Sequence, residues 1–436
     1  MISTAMHNTP TSEYWKELRI KDVSSVNSRS LSNDTNPYYQ FKYVDIGNVN
    51  QNGIVNEPET IQFHEAPSRA RRIVIEGDVI VSTVRTYLKA VAYFNFYPKD
   101  YIVSTGFAVL SHTRKINPAY LSYFCQSDYF IDSVIGNSKG VSYPAINATE
   151  LSCLSVYYPP FKEQTAIAKY LDTKTQVIDH KVSLLEKKIG YYQELRKSVI
   201  NETVTKGLDK NVKLQTNEFG FDIPINWLRY RLKDLGALYS GLSGKSGDDF
   251  NQDDNPDNKG FIPFTNIANN TYLKRDHLGT VVVYEGEKQN RVRKGDIFFL
   301  MSSEGYEDIG KSAALTEDIE ETYLNSFCKG YRVNPRKTNP YFLNYLMLSD
   351  YYRQLLIVEG KGFTRINLKM EKVNDFLVYI PDTLSAQNEI VKFLDTKLDT
   401  INKIIKNIQT QISTLNELRK TLINDVVTGK IKVIKD

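Results

Sequence analysis

A chain that repeats a long helical segment at half its own length is committed to a duplicated architecture. Residues 164–205 and 387–428 align without a gap, at a constant offset of about 223 residues in a chain of 436. Leu171-Asp172-Thr173-Lys174 returns as Leu394-Asp395-Thr396-Lys397, and Glu194-Leu195-Arg196-Lys197 as Glu417-Leu418-Arg419-Lys420. Ile200-Asn201 returns as Ile423-Asn424, and Val204-Thr205 as Val427-Thr428. So long a period excludes a short-repeat solenoid and predicts two copies of one module with internal pseudo-twofold character.

The repeated segment has the periodicity of a helix. In the second copy Leu394, Leu398, Ile401, Ile405, Ile408, Ile412, Leu415, Leu418, Leu422 and Val426 step mostly by four and three, a heptad seam of about four heptads. The first copy carries Leu171, Ile178, Val182, Leu185, Ile189, Tyr192, Leu195 and Val199, with Thr175 and Thr203 as polar interruptions. Gly190 is the one interior glycine; Pro159-Pro160 and Pro381-Asp382 mark the starts, and Gly207 and Gly429 the ends. A helix of about 42 residues rises roughly 60 Å, and alone it would leave an apolar stripe in water. Two such helices in one chain bury their stripes against each other. An antiparallel pair is favoured, because it lets the linker lead from the end of the first helix straight into the second domain.

The flanking segments echo each other more faintly. Trp15-Lys16-Glu17-Leu18-Arg19-Ile20-Lys21-Asp22 resembles Trp227-Leu228-Arg229-Tyr230-Arg231-Leu232-Lys233-Asp234, Glu76-Gly77-Asp78-Val79-Ile80 resembles Lys294-Gly295-Asp296-Ile297-Phe298, and Asn117-Pro118 resembles Asn339-Pro340. Residues 72–75 and 79–82 read as strands around a Gly-Asp turn, as do 280–283 and 297–300. One helix is expected from 118 to about 135, and its counterpart from 340 to about 358. The expected order is domain one at 1–158, long helix one at 159–207, a linker at 208–225, domain two at 226–380, long helix two at 381–430 and a tail at 431–436. Each domain is then α/β or α+β, and of a size that closes one core.

Composition narrows the class. With 41% hydrophobic and 24% charged residues the chain reads as soluble and globular. No apolar run approaches the ~18 residues of a membrane span, and residues 1–11 lack the apolar core of a signal peptide. Cys125, Cys153 and Cys328 are isolated, which argues against a disulfide framework and for a reducing cytoplasm. A net charge of +4 does not by itself announce nucleic acid, so any DNA binding must come from local clustering. The 29 tyrosines, against 5 methionines, suit polar recognition surfaces, the alternative being compositional drift towards Tyr, Asn and Lys.

No catalytic constellation is legible. Gly244-Lys245-Ser246 resembles a phosphate loop, but Tyr239 stands where the leading glycine belongs. Asn36-Pro37-Tyr38-Tyr39 and Asn339-Pro340-Tyr341-Phe342 lack the second proline of amino-methyltransferases. His7, His64, His112, His180 and His277 show no metal-ligand spacing, and the acidic pairs Asp248-Asp249 and Asp253-Asp254 sit among Asn and Gln as a loop. A recognition subunit or scaffold is the reading left.

Candidate recognition residues occur in paired places. The basic patch Arg69, Arg71 and Arg72, followed by Ser82, Thr83 and Arg85, has a counterpart in Lys288, Arg291, Arg293 and Lys294, followed by Ser302. A second pair of loops carries Lys139 and Tyr143 in one copy, and Lys361, Thr364 and Arg365 in the other. These side chains grip phosphates and read base edges.

With those landmarks in place, the chain resembles the specificity subunit of a type I restriction-modification system. The match is densest at Pro159-Pro160-Phe161-Lys162-Glu163-Gln164, Leu171-Asp172, Ile178-Asp179, Glu194-Leu195-Arg196-Lys197 and Thr205-Lys206-Gly207. The second copy departs at Pro381-Asp382, Ala386-Gln387 and Thr428-Gly429-Lys430. The resemblance implies two target recognition domains, each reading one half of a bipartite double-stranded DNA site, separated by two long antiparallel helices that set the spacing. It implies that the helices dock two modification subunits, which hold S-adenosylmethionine and methylate adenine. It further implies that a motor-nuclease restriction subunit using ATP and Mg can join, and that this chain carries no cofactor, metal or catalytic residue itself. The competing reading is a non-enzymatic coiled-coil scaffold whose globular domains bind protein instead of DNA.

Overall fold

The computed structural model describes residues 15–51, 53–252, 254–362 and 364–434. The N-terminal segment with His7, and also Asp253 and Phe363, lie outside the described residues. The chain divides into two compact units. One carries the described residues through Glu186 together with those from Ile408 onward; the other is Lys187–Asn407. The division runs through the middle of two helices, Phe161–Lys206 and Leu384–Val427.

Each long helix has ends that its sequence dictates. The Pro160 carbonyl accepts from the Glu163 and Gln164 amides at the first start, and Thr383 caps the second through its hydroxyl and carbonyl. Gly207 and Gly429 take φ of 75° and 78° at the exits, a left-handed conformation that costs a glycine little. Within the first unit the early part of the first helix (Ile167, Leu171) shares a core with the late part of the second (Ile423, Val426, Val427). Within the second unit Ile200 and Val204 share a core with Ile390, Leu394, Leu398 and Ile401. Early packs on late in both, so the pairing is antiparallel.

The seam is narrower than the heptad pattern predicts. Leu195 and its repeat Leu418 stand 46% and 54% exposed, although both fall in the stripe. Two helices occlude only one strip of each other's surface, and at these positions nothing else among the described residues covers the outer edge.

The flanking domains share one topology. In the first unit an antiparallel sheet runs Ser24–Val26, Phe107–His112, Val79–Ser82, Val91–Tyr93; in the second it runs Gly236–Ser240, Cys328–Val333, Asp296–Leu300, Ser312–Ala314. A further sheet in the first unit orders Glu59–Gln62, Gln40–Val44, Tyr101–Ser104, Ala70–Ile73, with the middle two strands parallel. Its counterpart orders Gly279–Val282, Asn258–Ile262, Thr322–Leu324, again with a parallel pair, and adds a single bridge from Tyr323 to Arg291. Lys16–Arg19 pairs with Ser155–Tyr158, as Leu228–Arg231 pairs with Leu377–Ile380.

Three expectations need correction. Residues 72–75 and 79–82 do not form a hairpin around the Gly-Asp turn: Ala70–Ile73 and Val79–Ser82 belong to different sheets, and so do Gly279–Val282 and Asp296–Leu300. Each expected single helix is two, Pro118–Gln126 with Asp128–Gly136, and Pro340–Leu348 with Asp350–Glu359. Buried Ser127 and Ser349 make the breaks, each donating its hydroxyl to a carbonyl three residues back, Phe124 or Leu346. Finally, much of the tyrosine is core: Tyr120, Tyr157, Tyr331 and Tyr352 are fully buried, and the Tyr120 hydroxyl donates to the Tyr157 carbonyl at 2.9 Å.

Candidate nucleic-acid interface

In the first unit the strand Val79–Ser82 runs out into a turn that its own hydroxyls hold in place. Ser82 Oγ donates to the Val84 carbonyl at 2.6 Å and Thr83 Oγ1 to the Gly106 carbonyl at 2.9 Å. Both residues are buried, so they support the turn and do not face solvent. Arg85 then adopts φ of 49°, a left-handed conformation costly for a residue with a Cβ. Opposite lies a small hairpin in which the Lys139 and Ala145 backbones exchange hydrogen bonds of 2.8 and 2.9 Å. Gly140 turns it at φ of 104°. The two loops are tied by Thr86 Oγ1 and Ser138 Oγ at 2.9 Å and by a bridge between Val84 and Ala145.

The result is a plate. The Arg85 guanidinium sits 5.0 Å from the centre of the Tyr143 ring, which is 66% exposed, beside the fully exposed Val141. Lys139 bonds Glu150 at 2.9 Å, and that bond, ahead of the Asn147 amide, holds the Glu150 carboxyl below its ordinary range. Exposed pairs of this kind give way readily to a competing anion. The basic patch adjoins the turn: Arg69 accepts through its carbonyl from Thr105, and Gly106 in turn accepts from Thr83. Arg71 lies over Phe63 at 4.8 Å, while Arg72 is half-buried on the strand Ala70–Ile73 and its Nε is buried without a hydrogen-bond partner.

The second unit builds an equivalent plate from different loops. Arg365 lies 4.6 Å from the centre of the half-exposed Phe327 ring. Its hairpin closes through hydrogen bonds between Lys361 and Asn367, with Gly362 at φ of 148°, and Thr364 is exposed on it. Ser302 pairs with Asn367 in the strand ladder and its hydroxyl is buried without a partner. Ser302, Asn325, Phe327, Arg365, Glu304 and Glu307 border a surface groove of about 510 Å³. In one unit the arginine comes from the strand-end turn and the aromatic ring from the hairpin; in the other the arginine comes from the hairpin. The basic edges also differ. Arg291 is paired with Glu321 at 2.5 Å, whereas Lys288, Arg293 and Lys294 are exposed. An arginine on an aromatic face offers a flat cation to a base or a phosphate, and acids at the groove rim suit a base amino group.

Spacing alone does not disclose Phe63 and Phe327 as supports for arginine, because the contacts cross loops distant in sequence. The phosphate-loop look-alike is resolved as well: the Lys245 side chain is 6% exposed and paired with Glu287 at 2.7 Å. Among the described residues no group of three or more His, Cys, Asp or Glu could hold a metal, and no helix is long and apolar enough to cross a membrane.

Residues 12–188 and 224–414, most of the chain, match the model of the type I restriction modification DNA specificity domain. The chain belongs to this family. The two matched stretches are the two copies of the module, so the family's domain occurs twice. Among relatives, the type I restriction enzyme MjaVIII specificity subunit of Methanocaldococcus jannaschii is 24% identical over 60% of this chain and 59% of its own. The chain thus spans about three-fifths of the length of that relative. A solved chain described under "complex assembly and conformational transition of the type I R-M system" superposes with a TM-score of 0.74 at 20% identity, covering 96% of this chain and 99% of its own. The crystal structure of the HsdS subunit from Thermoanaerobacter tengcongensis gives 0.52 at 20% identity over 96% and 98%. At these identities the likeness of family member to solved structure is one of fold.

Proposed function

We propose that this chain is the DNA-sequence-reading subunit of a type I restriction-modification complex. In this reading the plate around Arg85 and Tyr143 addresses one half of a bipartite site, and that around Arg365 and Phe327 the other. The two halves read differently because the two plates are built from different loops. The long helices set the separation of the half-sites and dock two modification subunits on their repeated faces, where Leu195 and Leu418 stand exposed. Adenine methylation with S-adenosylmethionine belongs to those subunits, and ATP- and Mg-dependent cleavage to a restriction subunit that joins them. The chain itself supplies recognition, in the cytoplasm, and no chemistry.

The observation that carries the reading is recurrence. One family domain occurs twice, and each copy presents an arginine stacked on an exposed or half-exposed aromatic ring, the two plates being assembled from different loops. The test is a selection of duplexes from a random pool by the chain with its modification subunit, followed by binding at two salt concentrations. A bipartite consensus is expected, with affinity falling steeply as salt rises. Enrichment of no sequence, or affinity indifferent to salt, overturns the proposal.

A further inference from the structure

The Arg-Lys pair of the repeated Glu-Leu-Arg-Lys motif lies in a cleft in both units, and the two clefts have diverged. In the first unit the cleft beside Arg419 and Lys420 is about 90 Å³. Arg419 is paired with Asp179 at 3.0 Å and Lys420 with Asp128 at 3.1 Å. In the second unit the corresponding cleft, beside Arg196 and Lys197, is about 690 Å³. The repeat register puts Asn402 where the first unit has Asp179, so the closing carboxylate is gone. The register of the short helices, an offset one residue shorter and anchored by Ser127 and Ser349, puts Arg353 where the first unit has Ile131.

Two guanidinium groups therefore border this cleft without a carboxylate partner among the described residues. Arg196 donates from Nη2 to Thr271 Oγ1 at 3.1 Å, and its Nε is buried with no hydrogen-bond partner. Arg353 is 9% exposed and donates to the backbone carbonyls of Ile309 and Glu307. Burial, only partly offset by the charges of Asp308 and Asp350, moves the Arg353 guanidinium below its ordinary value. The acids at the rim offset this only in part, because none of them forms an ion pair with either guanidinium among the described residues, and Asp308 is paired with Lys311. Asp350 accepts from Asn201 at 2.7 Å, and the Glu307 carboxylate lies against Gly305. Leaving the buried Arg353 cation and the buried Arg196 Nε–H donor unmatched is unfavourable, and an oxyanion satisfies both needs at once. The volume falls within the roughly 300–1,000 Å³ of small-ligand sites.

We propose that the cleft between Arg196 and Arg353 in the second unit binds a phosphoryl oxyanion, a site that the first unit has closed with its own aspartates. Several tetrahedral oxygens suit donors arriving from separate elements, here a helix, a loop and a second helix, better than a planar carboxylate does. The phosphoryl group comes from one of two sources, a free phosphorylated small molecule or the backbone of duplex DNA.

The test titrates inorganic phosphate and pyrophosphate into the full chain in chloride buffer, followed by calorimetry and by phosphorus NMR line width. One saturable site per chain is expected. Arg196→Gln weakens it about tenfold or more, the size expected for a lost charge-assisted bond. Asn402→Asp, at an exposed position, does the same by installing the first unit's closing acid, and Arg419→Gln leaves the affinity in place. Unaltered circular dichroism shows that each variant is folded. Absence of a saturable site, or an affinity in Arg196→Gln and Asn402→Asp unchanged from that of the unsubstituted chain, overturns the proposal. Repeating the titration with bound duplex separates the sources: displacement identifies the DNA backbone, and simultaneous binding identifies a small molecule. Failure of the chain to bind duplex leaves the phosphate titration unaffected, so the two readings fail independently.

Discussion

Single buried side chains fix each domain to its helix, and they do so twice. Gln164, fully buried, accepts from the Asn117 amide at 2.8 Å and donates to the Pro159 carbonyl at 2.8 Å. Gln387 accepts from Asn339 at 2.8 Å and Thr338 at 3.0 Å, and donates to Pro381 at 3.0 Å. Gln164→Leu keeps the volume but orphans two buried backbone groups, so a loss of about 2–4 kcal/mol in urea unfolding is expected, and a loss below about 1 kcal/mol would refute the account. Buried phenols and thiols set the alkaline limit in the same way. Burial, then the Glu218 carboxylate, pushes the Tyr379 hydroxyl up to about 12, and burial pushes the Cys328 thiol up to about 12. A raised folded-state pKa means stability that is complete below the unfolded value and lost as pH climbs toward the folded one. Unfolding free energy should therefore decline from about pH 9 for the thiol, and from about pH 10 for the phenol, and stay level with respect to these groups at lower pH. Cys328→Ser should shrink the earlier part of that decline in a pH series of melts, the buried Cys125 thiol, also raised by burial, supplying the remainder.

At the scale of elements, the long helices depend on packing more than on propensity. Leu394 is fully buried in the core of the second unit, and Leu394→Ala should cost about 2–5 kcal/mol. Gly190 has the opposite sign. A Cβ there meets nothing within 4 Å, and the backbone is not in the left-handed region. Gly190→Ala should stabilise by about 0.5–1 kcal/mol, whereas Gly207→Ala, at φ of 75°, should destabilise by about 1 kcal/mol. Thermal melts of the two variants moving in the same direction would contradict the helix-end account.

For the whole molecule, the proposed division of labour makes the two units separable in function. Arg85→Gln should relax sequence preference at one half-site and leave the other intact, and Arg365→Gln should do the reverse. Each should cost about tenfold in affinity, in the range of 1–3 kcal/mol for a lost arginine contact. The double variant should show the sum, because sites without shared partners act additively. Fluorescence anisotropy with duplexes altered in one half-site at a time measures this. A single variant that relaxes both halves equally would sink the assignment of one plate to one half-site.

The duplication, the antiparallel helix pair, the mixed α/β domains and the family were legible in the chain, because heptad periodicity, prolines and glycines at helix ends, and a gapless repeat are local or nearly local signals. The strand pairing was not. Residues 72–75 and 79–82 follow one another in sequence, yet they join different sheets, since partners across a sheet are chosen by burial and register and not by proximity along the chain. The serine breaks at Ser127 and Ser349 were hidden because a buried serine bonded to a backbone carbonyl looks, in sequence, like any helical serine. The arginine plates and the unequal clefts depend on which loops meet. The gapless repeat is enough to show two modules and to mark Asp179 against Asn402 as a difference between them; what that difference does emerges only on folding, because contact between distant segments is what brings Asp179 to Arg419.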